Sequence, residues 1–221
     1  MTEQAGTQSL AARLGRAYSG AVFDVLRGRG ITETVLPKEI VPLDETRTLA
    51  GPVFCMRGRP TPGRDPHETL LAWTGFLGRA PAGHVVVCEG REEHRALMGE
   101  LSAETLLGRG VLGFVTDGGC RDCASVRRIG FPVFARYRTP RDVVGAWMPE
   151  AFDAPLRIGD VAIAPGDYLI GDIDGVVVIP GSIAADVVDE VERVMGTENL
   201  VRAAIRSGVP PQEAYLRHRK F

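Results

Sequence analysis

The chain has 221 residues, of which 44% are hydrophobic and 24% charged, values typical of a globular protein with a substantial buried core. With 26 basic and 28 acidic residues the formal net charge is −2, so we expect no nucleic-acid partner and no membrane partner. Residues 1–9 are polar and lack the apolar core of a signal peptide, and no apolar run approaches the ~20 residues of a membrane-spanning helix. We therefore expect a cytoplasmic protein with a frayed tail over residues 1–9.

Apolar periodicity predicts a regular succession of helices and strands along the chain. The predicted helices span residues 10–18, 19–27, 67–77, 95–107, 124–129 and 182–206. The predicted strands span residues 49–56, 84–88, 111–115, 131–136, 161–164, 168–171 and 176–179. Two stretches lack such periodicity: 57–66, rich in Pro, Gly and Arg, is predicted to be a surface loop, and 137–155 is predicted to be irregular, with Trp147 exposed or lining a pocket. This pattern predicts a single α/β domain over 1–221.

The most informative stretch is the predicted helix 95–107, the buried strand 111–115 and the turn at Asp117-Gly118-Gly119. Arg121 and Asp122 follow this turn, at the end of a strand, where α/β folds commonly place ligand-binding groups. Glu100, on the preceding helix, can be brought close to them. Two acids, one arginine and helix N-terminal amides would suit a divalent metal and a small anionic substrate. A local salt bridge that caps the helix at residue 124 is the alternative.

The same dipeptide occurs twice more, as Arg64-Asp65 and Arg141-Asp142. Both copies are predicted to lie in loops, with no flanking strand and no partner acid. We interpret them as solvated surface pairs.

Other motifs favour structural roles. The GxGxxG of 108–113 follows a predicted helix and precedes a strand, which is the reverse of the order in dinucleotide-binding folds. Asp172-Ile173-Asp174-Gly175 resembles the start of a calcium loop but lacks its later Gly and Glu, so we predict a hairpin turn. The four histidines form no ligand-spaced pair, and no GxSxG elbow occurs, which argues against a triad hydrolase.

The four cysteines fall into two groups. Cys55 and Cys88 lie in apolar runs, where cysteine behaves as a small hydrophobe. Cys120 and Cys123 form a CxxC motif with no second ligand pair for zinc. We expect structural thiols, and redox or metal use of the CxxC remains the alternative.

Several segments together resemble the RraA-like family, which includes 4-hydroxy-4-methyl-2-oxoglutarate / 4-carboxy-4-hydroxy-2-oxoadipate aldolases and the regulator of ribonuclease activity A. The segments that carry the resemblance are Gly99-Glu100-Leu101, the run 108–119 ending in Arg121-Asp122, and residues 130–136 and 165–180. The resemblance implies a layered α/β/β/α fold of the swivelling β/β/α type. It also implies a homotrimer or hexamer with active sites between subunits.

The resemblance further implies roles for particular residues, because the family's aldolases carry an acid, twenty intervening residues and then Arg-Asp. By this match Asp122 would bind Mg²⁺ or Mn²⁺, Arg121 would hold the pyruvyl oxygen, and amides at Gly99, Glu100 and Leu101 would hold the carboxylate. Glu100 would orient a water, although many of the aldolases carry an aspartate there. Glu198, in the last helix of a neighbouring subunit, would complete the metal site.

The implied activity is a metal-dependent lyase, a class II pyruvate aldolase that cleaves a 4-hydroxy-2-oxo acid by a retro-aldol step. Oxaloacetate decarboxylation would follow the same course, because it also yields pyruvate enolate. The alternatives are a non-enzymatic regulator that binds a ribonuclease and another lyase on the same scaffold.

Overall fold

The computed structural model describes residues 9–221. Of the predicted tail, residues 1–8 lie outside this range. Ser9 caps the first helix, because its Oγ accepts a hydrogen bond from the amide of Ala12 at 3.2 Å.

Most predicted elements are confirmed, with ends shifted by up to four residues. The helices are α1 (Leu10–Leu14), α2 (Ser19–Gly28), α3 (Pro66–Arg79), α4 (Glu100–Gly108), α5 (Cys123–Ile129), α6 (Ala184–Arg206) and α7 (Pro211–His218). The strands are β1 (Val41–Pro42), β2 (Leu49–Pro60), β3 (Val85–Glu89), β4 (Ala96–Met98), β5 (Gly113–Thr116), β6 (Gly119–Cys120), β7 (Val133–Ala135), β8 (Tyr137–Arg138), β9 (Trp147–Phe152), β10 (Leu156–Ile158), β11 (Val161–Ile163), β12 (Tyr168–Asp172) and β13 (Gly175–Ile179).

The main sheet runs in the order β1-β7-β5-β3-β2-β12-β13, and β9 also pairs with β2. Its central strands β2, β3, β5 and β7 are parallel. All five residues of β3 are buried, as expected for a parallel strand covered on both faces. A smaller parallel sheet, β4-β6-β8, and a hairpin, β10-β11, complete the strands.

The sheet curls around one apolar interior and carries helices outside. Val53 and Cys55 of β2 face this interior, whereas Phe54 and Met56 face the layer that contains α3, α4 and α5. Residues of β12 and β13 alternate between the interior and a second helical layer of α1, α2 and α6. One segment nearly closes the sheet, because Leu36 donates to Val176 of β13 at 2.9 Å and β1 pairs with β7. The predicted α/β/β/α layering is therefore confirmed.

The predicted helix over 95–107 is wrong at its start. Residues Ala96–Met98 form β4, which pairs with β6, and α4 begins only at Glu100, after the extended residue Gly99. Periodicity over a short apolar run does not distinguish a buried strand from a helix, and the pairing partner lies more than twenty residues away.

The two stretches predicted to lack regular structure are also corrected. β2 continues to Pro60, and its second half pairs with β9, which lies within 137–155. Trp147 begins β9 and is 1% exposed, with Nε1 donating to the carbonyl of Gly90 at 2.7 Å, so it neither is exposed nor lines a pocket. Helix α7 was not predicted from the sequence.

The Asp172 turn is a hairpin, as predicted, between β12 and β13. Its carboxylate accepts hydrogen bonds from the amide and the hydroxyl of Ser19, each at 2.7 Å, and so fixes the start of α2. Among residues 9–221, no helix combines the length and apolar character needed to cross a bilayer.

Candidate active site

Arg121 and Asp122 lie between β6 and α5. The Arg121 amide donates to the carbonyl of Met98 at 2.9 Å, which ties the dipeptide to the end of β4 and thus to the start of α4. Asp122 is the N-cap of α5 and has φ +51°, ψ +32°, in the left-handed region that Asp tolerates better than most residues. Its side chain is 39% exposed and does not cap α5, so it is available to a ligand.

Arg121 and Asp122 line a cavity of about 240 Å³. The cavity is formed by the end of β4, the first turn of α4, α3 and the loop before β9. Its polar lining is Gly99, Glu100, Ser102, Arg121, Asp122 and Asp142, and its apolar lining includes Leu70, Trp73, Leu101, Val143 and Val144.

The Asp122 carboxylate is held from two sides. Its Oδ2 accepts the backbone amide of Glu100 at 3.3 Å and Arg121 Nε at 3.2 Å. Gly99 leaves room for this arrangement, because a Cβ there would lie 2.9 Å from Arg121 Cγ and 3.0 Å from Asp122 Oδ2. The other oxygen, Oδ1, receives no hydrogen bond from residues 9–221 and is the atom left for a ligand.

Asp142 is the residue of this site that the sequence reasoning missed. Its Oδ2 accepts Arg121 Nη1 at 3.1 Å, while its Oδ1 accepts the amide of Val144 at 3.2 Å. The interpretation of Arg141-Asp142 as a separate surface pair is therefore wrong for Asp142. The loop between β8 and β9 lies against β4, where the Ala96 amide donates to the carbonyl of Arg141 at 2.8 Å, and no local pattern in the sequence indicates that contact.

Glu100 lines the same cavity as Asp122, as its position on α4 requires. Its carboxylate lies beside α5, with Oε1 3.7 Å from Arg128 Nη2. Asp122 and Asp142 thus place two carboxylates beside the Arg121 guanidinium, while Glu100 lies beside Arg128.

Within residues 9–221, no three His, Cys, Asp or Glu side chains converge closely enough to enclose an ion. An ion at Asp122 would therefore depend on water and substrate oxygens for most of its coordination. This suits Mg²⁺, which keeps several waters and often binds through one or two carboxylates.

Glu198 lies elsewhere in the chain. It is on α6, hydrogen-bonded to the hydroxyl of Tyr18 and 3.3 Å from Lys220 Nζ, at a second cavity of about 660 Å³. Burial and the Glu198 contact raise the pKa of Tyr18 to about 12. The chain does not bring its own Glu198 to Asp122, and completion of the site by a neighbour's Glu198 stays a prediction.

All four cysteines are free thiols. Cys55 and Cys88 are buried in β2 and β3, and burial raises the pKa of Cys55 to about 12. The prediction that these two serve as small apolar residues is confirmed.

Comparisons with known proteins agree with this architecture. The model of the RraA-like family, described as Aldolase/RraA, matches residues 19–178. "Putative 4-hydroxy-4-methyl-2-oxoglutarate aldolase" of Halalkalibacterium halodurans is 29% identical over 184 residues, 83% of this chain and 84% of that protein. Protein DlpA of Legionella pneumophila is 27% identical over 89% of this chain, which spans only 31% of that protein.

A solved structure is similar as well. Streptomyces coelicolor RraAS2, described as an unusual member of the RNase ES inhibitor RraA protein family, is 28% identical with a TM-score of 0.78. The match covers 88% of this chain and 96% of that one.

Proposed function

Because this chain belongs to the RraA-like family, we propose that it is a divalent-metal-dependent lyase that cleaves a 4-hydroxy-2-oxo acid to pyruvate. Its relative named as an aldolase supports this activity. The observation that carries the proposal is the placement of Arg121 and Asp122 against the first turn of α4 in one open cavity. Oxaloacetate decarboxylation is expected at the same site.

The start of α4 provides the carboxylate site for the substrate. The first amides of a helix have no partner within the helix and attract anions, and those at the start of α4 border the cavity. Here the amide of Glu100 is used by Asp122, so the amides that follow, beginning with that of Leu101, are left for the substrate carboxylate.

Arg121 provides the positive charge at the reacting oxygen. When C3–C4 breaks, the electron pair moves onto the pyruvyl fragment, and negative charge develops on the oxygen at C2. A guanidinium fixed by Asp122 and Asp142 is positioned before the charge appears, and loss of one such donor typically costs about 10²–10³ in rate.

Asp122 would hold the metal ion, through Oδ1. A bound Mg²⁺ or Mn²⁺ supplies further positive charge that polarises the 2-oxo group. Asp122 fits this task because its other oxygen is already fixed by two donors and its side chain is partly exposed.

Glu100 would serve as the base of the reaction. It would accept the proton of the C4 hydroxyl through an intervening water, and the pyruvyl fragment then regains a proton at C3. Glu100 lines the cavity and its side chain is 38% exposed, so water can reach it.

Assembly belongs to the same proposal. We propose a cytoplasmic homotrimer or hexamer in which Glu198 of a neighbouring subunit approaches Asp122. The mass of the protein, measured by light scattering as it elutes from a size-exclusion column, tests the assembly. A monomer with full activity would contradict it.

The test is pyruvate release from a panel of 4-hydroxy-2-oxo acids and oxaloacetate, with Mg²⁺, Mn²⁺ or EDTA. We expect activity that EDTA abolishes and that Asp122→Asn lowers at least a hundredfold. Asp160→Asn, at an exposed carboxylate outside the cavity, is the matched control. A rate unaffected by EDTA, or equal in the two variants, would refute the proposal.

A regulatory role is the second candidate, favoured by the similarity to RraAS2. In that case a ribonuclease would copurify with the protein, and its binding would not change on Asp122→Asn. Activity on a substrate outside the 4-hydroxy-2-oxo acids would instead indicate another lyase on the same scaffold.

A further inference from the structure

Two cysteines flank the Arg121-Asp122 dipeptide in the chain. Cys120 ends β6 and is fully buried, whereas Cys123 begins α5 and is half-buried. Cys123 Sγ lies 3.6 Å from the carbonyl oxygen of Cys120, and Cys120 Sγ lies 3.3 Å from that of Arg121. Both sulfurs therefore lie against the same short stretch of backbone.

The other two cysteines cannot pair in this way. Cys55 faces the interior of the sheet and Cys88 faces the opposite layer, beneath α3 and α4. Both are fully buried, so they serve as internal controls for any reaction of the CxxC pair.

We propose that Cys120 and Cys123 form a reversible disulfide that switches off the adjacent site under oxidising conditions. The oxidant is a small-molecule disulfide. Cys123, the more exposed thiol, displaces one half of the reagent as a thiol and forms a mixed disulfide. Cys120 then attacks the Cys123 sulfur and displaces the second half. Two thiol hydrogens pass to the two released thiols, and the reagent takes up the two electrons.

The disulfide would disturb Asp122 more than the strands. A sulfur–sulfur bond is about 2.05 Å long and holds the two Cβ atoms about 3.5–4.5 Å apart, so it constrains the backbone between Cys120 and Cys123. The Cys120 carbonyl accepts a hydrogen bond from the Thr139 amide, and the Arg121 amide donates to the Met98 carbonyl. These two bonds hold β6 in place. Any adjustment to this constraint therefore falls on Asp122 and the start of α5.

Asp122 tolerates little movement. It already has a left-handed backbone, and the bond from the Glu100 amide to its carboxylate is long, at 3.3 Å. Loss of a group that orients a metal ligand typically weakens metal binding by about 10–100-fold. The effect on metal rests on the proposed function, but disulfide formation does not.

Trypsin offers a direct test, because Arg121 lies between the two cysteines. The full chain is treated with oxidised glutathione, the remaining thiols are blocked, and the protein is digested without reductant. We expect peptides 110–121 and 122–127 to remain joined, lighter by two hydrogens than their sum, and to separate with dithiothreitol. Cys123→Ser should abolish the joined species, while Cys55 and Cys88 are recovered as blocked thiols.

A glutathione adduct on Cys123 without the joined peptides would overturn the disulfide. Mn²⁺ titration of the reduced and oxidised protein tests the switch: we expect at least tenfold weaker binding after oxidation and no change in oxidised Cys123→Ser. Equal Mn²⁺ affinity in both forms, with the peptides joined, would overturn the switch. Absence of Mn²⁺ binding even in the reduced protein would instead contradict the proposed function.

Discussion

Replacement of Asp142 by asparagine should separate the positioning of Arg121 from the stability of the fold. The change keeps the shape of the side chain and the oxygen that accepts the Val144 amide, but removes the charge 3.1 Å from Arg121 Nη1. Because the two side chains are 36% and 47% exposed, water screens the pair, and its loss should cost only about 0.2–1 kcal/mol of unfolding free energy.

The effect on catalysis should be larger. Among residues 9–221, Asp122 would then be the only carboxylate that holds the guanidinium, through Nε alone. Removing a charge-stabilising donor altogether costs about 10²–10³ in rate, and a donor that is present but less well fixed should cost part of this. We expect kcat/KM to fall about tenfold, which corresponds to about 1.4 kcal/mol of lost transition-state stabilisation.

The assay is a double-mutant cycle on pyruvate release, with kcat and KM determined separately and a thermal melt for each variant. Asp142→Asn should cost tenfold in the normal chain and almost nothing in the Arg121→Ala background, because its partner is then absent. Asp160→Asn should behave as the unmodified protein. An equal loss in both backgrounds, or no loss at all, would refute the positioning role.

Four further substitutions test the packing and electrostatics of the site and of the fold that carries it. Gly99→Ala puts a methyl group 2.9 Å from the nearest atom of the dipeptide, so Mn²⁺ affinity and turnover should fall at least tenfold while the melting temperature changes little; unchanged titrations would contradict this. Gly58→Ala puts a Cβ 2.0 Å from the ring of Trp147 and should cost about 1–3 kcal/mol in urea unfolding, whereas Gly75→Ala, in open space on α3, should gain about 0.5–1 kcal/mol. Burial raises the pKa of Tyr137 from 10.0 to about 12, so the folded state binds more protons in that window and the free energy of unfolding should fall as the pH rises through it. Tyr137→Phe should make urea midpoints depend less on pH there, and an equally steep dependence would count against this cause.

The sequence alone predicted the elements whose signal is local. The short apolar run of β3 predicts a buried strand, and the long periodic run of α6 predicts a helix. Both can be predicted locally, because the spacing of the buried side chains depends on the type of element that they form. The hairpin at Asp172 and the position of Arg121-Asp122 after a turn were also predicted from the sequence, since turn chemistry depends on adjacent residues.

Tertiary structure decided what depends on distant segments. β4 became a strand because β6 offers it hydrogen bonds, and the second half of β2 is ordered by β9, some ninety residues further along the chain. Asp142 meets Arg121 because its loop lies against β4, and Glu198 packs beside Tyr18 rather than Asp122. A side-chain pattern records how a segment will be buried, but the partner that buries it is chosen by packing of the whole chain.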